Sequence, residues 1–488
     1  MIINDVAWLD PVVAFEPFSN EPYAALLCPG RQANGSGWAF FVRNPSSVII
    51  AKNGRVRCLG DLEGEAYRHL SPFEVLNIIH SSRSQENDRL RDERLSAVPF
   101  CSGLVGFAGY ELGGGLEPRG AGPASPFLLP DMAFGVYDAV AVFNFASQRL
   151  SIVGRDQRRV DDLSDAISSI HHNSGSIGDI MPSFEFKGSN FSEDTFEEAI
   201  LLAQNNILDG EYYQANISHQ LEFASNAPFD AYRYFSRLIE TSHSDYGAYL
   251  SYPNGKIISN SPERFFQVNR HKNNMVIRAE PIKGTAPRST DPDLDKKLAD
   301  NLRLDPKERA ENTMIADLLR NDLSAICKDH SIQEDFICRL FSYKNVHHLV
   351  SRISGKLQDQ VNAVTALQAL FPCGSITGAP KIAAMKSIGD IEAVGRGPYC
   401  GAIGYIDDRG TADLSVAIRI LIADEENRKF VAPVGSGITL RSDPQKEYLE
   451  TLIKARSVFD LLEVPFPPQH SAYHSDIALS PKFDKQLL

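Results

Sequence analysis

What this 488-residue chain lacks narrows its chemistry first. Its seven cysteines (Cys28, Cys58, Cys101, Cys327, Cys338, Cys373 and Cys400) are scattered, and no two form a Cys-x-x-Cys pair. An odd, dispersed set argues against a disulfide framework or a thiolate zinc site and suits a reducing, cytoplasmic setting. Positive blocks are missing too: 49 Lys and Arg stand against 62 Asp and Glu, a net charge of −13. Without a basic footprint for phosphates, no nucleic-acid partner is expected. No uncharged apolar run approaches the ~20 residues that span a bilayer, so no membrane association is expected. "MIINDVAWLDPVV" has no basic region before an apolar core, so no signal peptide is expected either.

What is present describes an ordinary soluble globular protein, 43% apolar and 23% charged. Residues 1–150 form a strand-rich region, with "GWAFFVRN", "SVIIAK" and "GVYDAVAVFNF" as β-branched and aromatic runs bounded by turn residues. The Gly-dense "FCSGLVGFAGYELGGG" reads as a tight loop or a close-packed strand. Residues 151–190 turn polar and Ser/Gly-rich, a linker or surface excursion. Residues 191–462 carry the chemistry-bearing motifs, and 463–488 form a tail. Three helices are expected: one over 192–211, one in "DPKERAENTMIADLLRNDLSAIC" and one from "SDPQKEYLETLIKARSVFDLL". Asp305 is the N-cap of the second, with Pro306 at its first position.

Two of these helix starts share a carboxylate pattern: Glu308 and Glu311 in one, Glu447 and Glu450 in the other. Spacing of three puts each pair on one helical face. Capping explains the first pair alone, since Glu308 stands where a capping box with Asp305 would be completed. If the two helices converge, four carboxylates make an oxygen site that suits magnesium. "FPCGSITGAPK" is Gly-rich before Lys381 but fails the phosphate-loop spacing, which excludes ATP. Adjacent His347 and His348 on a strand point to opposite faces, so at most one serves a given site. Arg419, inside the apolar run "DLSVAIRILIAD", needs a partner: a substrate carboxylate or an internal salt bridge. Lys283 stands in "IRAEPIKGTAPRST", in a short turn that Pro281, Gly284 and Pro287 hold in shape.

Ten stretches in order, from "GEYYQANIS" and "SPERF" through "PIKGTAPRS", "NVHHLVSRISG" and "GPYCGAIGYID" to "SDPQKEYLETLIKA", resemble the chorismate-utilising enzymes. The resemblance spans 191–462 and, more loosely, the N-terminal region through "GLVGFAGYE". It implies an α+β fold of two packed antiparallel β-sheets flanked by helices. It also implies magnesium held by Glu311 and Glu447, with Glu308 and Glu450 direct or through water. Arg419, Tyr399 and the backbone of Gly435, Ser436 and Gly437 would hold a substrate carboxylate. Gly284 and Thr285 would line the ring, Ser375 would join the substrate-binding set, and Lys454 would add charge near a carboxylate. Lys283 would be the nucleophile, Glu263 the general acid and His348 the active-site histidine.

Two positions sort reactions within that family. Members that add water carry a lysine where this chain has Gln214, and anthranilate synthases carry alanine where it has Lys283. The resemblance is therefore to the aminodeoxychorismate-forming members, which use chorismate and ammonia from a glutamine amidotransferase subunit in p-aminobenzoate and folate biosynthesis. Anthranilate synthesis and a catalytically silent chorismate-binding subunit are the alternatives. "VNRHKNNMV" implies a lengthened hairpin between Glu263 and the lysine turn. No fused glutaminase is expected.

Overall fold

The computed structural model describes residues 1–467 apart from 32, 34–36, 65, 88–94, 96, 171–180 and 345. Most of the 463–488 tail and the middle of the 151–190 excursion lie outside the described residues.

The elements that carry the site are strands β1 (Gln214–Ser225), β2 (Arg264–His271), β3 (Asn274–Ala279), β4 (Ile282–Pro287), β5 (Gln333–Ser342), β6 (Val346–Lys356), β7 (Ala412–Val416), β8 (Ile420–Asp424) and β9 (Lys429–Ile438). With them go helices α1 (Pro306–Ser324), α2 (Lys381–Ile391) and α3 (Pro444–Lys454). The architecture is α+β, as expected: two antiparallel sheets with helices around them. The first sheet runs Ile2–Val6, Arg149–Gly154, Ala139–Asn144, Trp38–Val42, Ala25–Leu27, Tyr246–Tyr252, Gly255–Ser261, β8, β9, β1, Phe184–Ser189. The second runs β4, β6, β3, β2, β7, Ala402–Asp407, Gly103–Ala108, Met132–Tyr137, Ser47–Lys52, Arg55–Gly60, with β5 also on β6.

The apolar runs are continuous because the first sheet is covered on both faces. Phe40, Val140 and Ile257 enter a large core that takes in both sheets. Their neighbours Phe41, Ala141 and Ile258 enter a second core with helices Ala231–Thr241 and Arg456–Leu461. Strands from both ends of the chain interleave: Leu27 pairs with Ala248 in the first sheet, and Gly106 with Gly404 in the second. The Gly-dense N-terminal stretch is therefore a close-packed strand over Gly103–Ala108, while its triple-glycine end forms a short helix, Leu112–Leu116. A side-chain carbon on Gly106 would fall 1.9 Å from the Ala133 carbonyl oxygen.

The expected Asp305 N-cap is present, and Asp443 caps the other helix in the same way. Asp305 accepts from the N–H groups of Lys307 and Glu308, and Asp443 from that of Lys446. The reciprocal half of the capping box is replaced, because the Asp305 N–H goes to the Leu302 carbonyl at 3.3 Å. The Arg419 run is not one strand. β7 belongs to the second sheet and β8 to the first, and Arg419 sits in the link between them with φ of 54°. Within 151–190 the chain also forms a helix, Gln157–Ser168, that its polar composition concealed.

Candidate active site

The opening feature of the site is a β-bulge. In the β4–β6 ladder Ile282 faces Val350 and Thr285 faces His348, so Lys283 and Gly284 together oppose Leu349 alone. An extra residue bends the strand and re-aims its side chains. Gly284 takes φ of 83°, which costs glycine little. It also lets Glu308 approach, since a side-chain carbon there would lie 3.0 Å from Glu308 Oε2. Lys283 Nζ lies 3.7 Å from the point where a Gly437 side-chain carbon would stand, and Gln214 Nε2 fills that point at 2.6 Å. The bulge thus carries the lysine across to the β1–β9 edge of the other sheet.

Glu263 lies in the short link between Gly255–Ser261 and β2, buried at 6% exposure. Burial raises its pKa, against the hydrogen bond from Ser375, the nearby Lys283 and the Ile282 N–H. Ser375 Oγ donates to Glu263 Oε1 at 2.7 Å, so this serine of the Gly-rich loop holds the carboxyl. Lys381, after the same loop, pairs with Asp322 at 2.8 Å and donates to the Leu370 carbonyl. The two histidines diverge as strand geometry requires. His347 is buried against Ser342 and Asp295, while His348 Nδ1 meets Thr285 Oγ1 at 2.9 Å. Burial pushes His348 down to about 4, with the Gly284 backbone opposing and Arg419 adding to the effect.

α1 and α3 converge. Burial raises Glu311, with Lys283 and Lys307 opposing and both Glu447 and Glu450 adding to the rise. Burial likewise raises Glu308, reinforced by Glu311, Asp305 and Glu450. Glu450 is also penalised by burial, but Lys454 at 2.6 Å, Lys283 and Lys307 together hold it below the usual value. Glu447, 6% exposed, accepts from Ser436 Oγ. Among the described residues no three His, Cys, Asp or Glu side chains stand close enough to form a ready metal cage. Magnesium does not need one, since one or two carboxylates plus water and substrate oxygens suffice. Glu308 and Glu311, raised by burial and by neighbouring carboxylates, are donors that a divalent cation would relieve, so the residues fit this ion.

The anion-binding candidates form the far wall. Arg419 is exposed in the link between β7 and β8. Desolvation by the surrounding protein lowers its pKa, against Tyr399 and Glu450. Tyr399 is buried. Gly435, Ser436 and Gly437 pair with Ser218, Ile217 and Asn216 of β1, whereas β8 pairs with β9 only from Lys429 to Val431. Every second N–H of the overhang therefore points away from β1. Lys454 Nζ donates to the Gly435 carbonyl at 2.9 Å. Two polar side chains of β1, Gln214 Oε1 and Asn216 Nδ2, are buried here with no protein partner among the described residues. Asn216 was not a sequence candidate. Its signal was the i, i+2 spacing from Gln214, which puts both on one strand face.

The family model for chorismate binding enzymes matches residues 28–460. The chain belongs to that family. It is 30% identical over 456 residues to aminodeoxychorismate synthase component 1 of Klebsiella aerogenes, covering 92% of this chain and 96% of that one. It is 33% identical over 381 residues to anthranilate synthase component 1 of Lactococcus lactis, covering 75% and 80%. Among solved structures, anthranilate synthase component I from Streptococcus pneumoniae superposes with a TM-score of 0.74 at 27% identity, covering 92% and 97%.

Proposed function

We propose that this chain is component 1 of an aminodeoxychorismate synthase, converting chorismate and ammonia to 4-amino-4-deoxychorismate on the way to p-aminobenzoate and folate. The observation that carries this reading is Lys283, presented by a bulge beside Glu263, Gln214 and Gly437. Similarity to aminodeoxychorismate and anthranilate synthases is nearly equal, so our reading between them rests on the side chain at 283. Alanine there, as in anthranilate synthases, leaves no amine to attack the ring.

Chorismate is a dicarboxylate with a hydroxyl leaving group at ring carbon 4. Arg419, Tyr399 and the free N–H groups of the β9 overhang bind its enolpyruvyl carboxylate, and Gly284 and Thr285 flank the ring. Glu311 and Glu447, with Glu308 and Glu450, would hold magnesium, which when bound supplies Lewis-acid polarisation of the ring carboxylate. The Lys283 amine forms a bond to carbon 2 through its nitrogen lone pair while the carbon 4 hydroxyl leaves as water. Glu263, whose pKa burial raises, gives the proton. Its carboxylate then accepts the proton that the new secondary ammonium sheds. Ammonia next bonds to carbon 4, the lysine–carbon 2 bond breaks, and Lys283 recovers its amine with the returned proton balancing the leaving nitrogen. Splitting one displacement into two is the gain of nucleophilic catalysis. Neutral His348 orients Thr285.

The nitrogen would come from a separate glutamine amidotransferase subunit, a partner consistent with the "component 1" names of the relatives. The test is incubation of the pure chain with chorismate, a magnesium salt and ammonium at alkaline pH. A product that an aminodeoxychorismate lyase turns into p-aminobenzoate is expected, with glutamine inactive as donor. With ammonia withheld, mass spectrometry should find a chorismate-derived adduct on the Lys283 peptide. Anthranilate as the main product, or an alanine variant at 283 with unchanged turnover, would overturn the assignment.

A further inference from the structure

We propose that Asn312 is a positioning residue that fixes the Lys283 bulge to the carboxylate-bearing helix, an inference that rests on Lys283 being the nucleophile. Asn312 follows Glu311 in α1 and is fully buried, at 0% exposure. An asparagine inside a helix is a poor helix former, and its buried amide must be satisfied on both sides. Its partners are specific. Nδ2 donates to the Leu349 carbonyl at 2.9 Å and lies 3.5 Å from the Lys283 carbonyl. Leu349 is the residue opposite the bulge, where two residues face one and regular ladder bonds are interrupted. The side-chain amide therefore stands where a strand partner would otherwise stand.

Its orientation is fixed from the other side. The Ser351 hydroxyl accepts from the Cys338 N–H at 3.0 Å and donates to Asn312 Oδ1. With Oδ1 taken, the NH2 end must face the two carbonyls. Cys338, with φ of 51°, is itself at a bulged position of β5 opposite β6. One amide thus ties together the helix of Glu308 and Glu311, the strand of His348 and the bulge of Lys283. Removing it deletes no group assigned above to substrate or metal but frees the bulge, and with it the amine, to shift.

The experiment is a double-mutant cycle in the full chain with Asn312→Ala and Lys283→Ala. Misplacement of an attacking atom by ~1 Å costs roughly 100-fold, so adduct formation and kcat in Asn312→Ala should fall about that much. The chorismate KM should stay within about threefold, because binding groups on β9 and at Arg419 are untouched. If Asn312 acts through Lys283, the double variant is no slower than Lys283→Ala alone. Additive losses, or adduct formation at the wild-type rate in Asn312→Ala, would overturn the proposal. A readout free of turnover is trace acetylation of the Lys283 amine across pH, whose profile should move in Asn312→Ala and overturns the proposal if unchanged. It decides the matter even if the wild type makes no aminodeoxychorismate, an outcome that sinks the functional reading instead. Should Asn312→Ala not fold, Ser351→Ala keeps the amide but removes its orienting partner. The Lys283 acetylation profile should move there in the same direction, and a wild-type profile counts against the proposal.

Discussion

His219 sits in β1 between two hydroxyls, with Nδ1 at 2.7 Å from Ser189 Oγ and Nε2 at 2.7 Å from Thr451 Oγ1. Burial takes its pKa down to about 3, and that of His348 to about 4. Both are neutral in the native state at pH values where an unfolded histidine, at ~6.5, is already charged. The unfolded chain then binds more protons, so these groups cost stability as pH falls from about 6.5 toward about 4. Raised carboxyls such as Glu263 act in the opposite direction, so the variant comparison carries the test. His219→Gln should show a shallower acid-side fall in urea midpoint than the wild type, and parallel profiles would refute this. A second prediction concerns Glu263→Gln, which keeps an acceptor for Ser375 but loses the proton. General-acid loss is worth ~100-fold or more, to be read as slower Lys283 adduct formation with chorismate affinity nearly retained. At this scale sequence reading is uneven. Lys283 was legible because a charge among prolines and glycines is an unusual expense of turn residues. Asn312 was not, since a polar residue declares its role only when its buried partners are in view.

α1 and α3 were the most legible elements, because Asp-Pro starts and capping follow from local chemistry alone. Their convergence was not, since it depends on how β4 and β9 cross from the two sheets. Once converged, each helix contributes one carboxylate pair, and the burdens differ. Glu450 is already paired with Lys454 at 2.6 Å, whereas among the described residues Glu311 has only Lys307 at 3.9 Å as a direct ion-pair partner. Glu311→Gln and Glu447→Gln should therefore lower activity on the order of 100-fold and raise the magnesium needed for half-saturation. Glu450→Gln should do less to the metal requirement than either. Activity titrated against free magnesium ion checks this, and equal effects at all three positions would refute it. The β7–β8 run shows where pattern fails. Its residues are apolar on both sides of Arg419, so periodicity reads one strand. A change of sheet at a residue with φ of 54° leaves no trace in hydropathy.

Whole-molecule organisation follows from the interleaving of the sheets. A boundary drawn near 150–190 separates composition, yet it would cut both sheets in two. Residues 191–462 without the first 150 would expose the edge of Tyr246–Tyr252 that Ala25–Leu27 now covers, and that of Ala402–Asp407 now paired with Gly103–Ala108. Unpaired edges of that length, flanked by apolar faces, favour aggregation over folding. They would also uncover one shared core: Phe107 and Phe134 from the first part pack in the same cluster as Phe266 and Tyr405. The candidate site motifs all fall in 191–462, yet Glu263, β2 and β7 rest on a sheet whose other half comes from 1–150. Expressed alone, residues 191–467 should be insoluble or lack cooperative unfolding, and should bind no chorismate. Co-expressed with 1–190 as a separate chain, the two should reassemble and recover a measurable part of the activity. Calorimetry of the intact chain should give a single transition with van't Hoff and calorimetric enthalpies in agreement. A soluble 191–467 fragment that melts cooperatively by itself would show that the shared sheets do not bind the two regions into one folding unit.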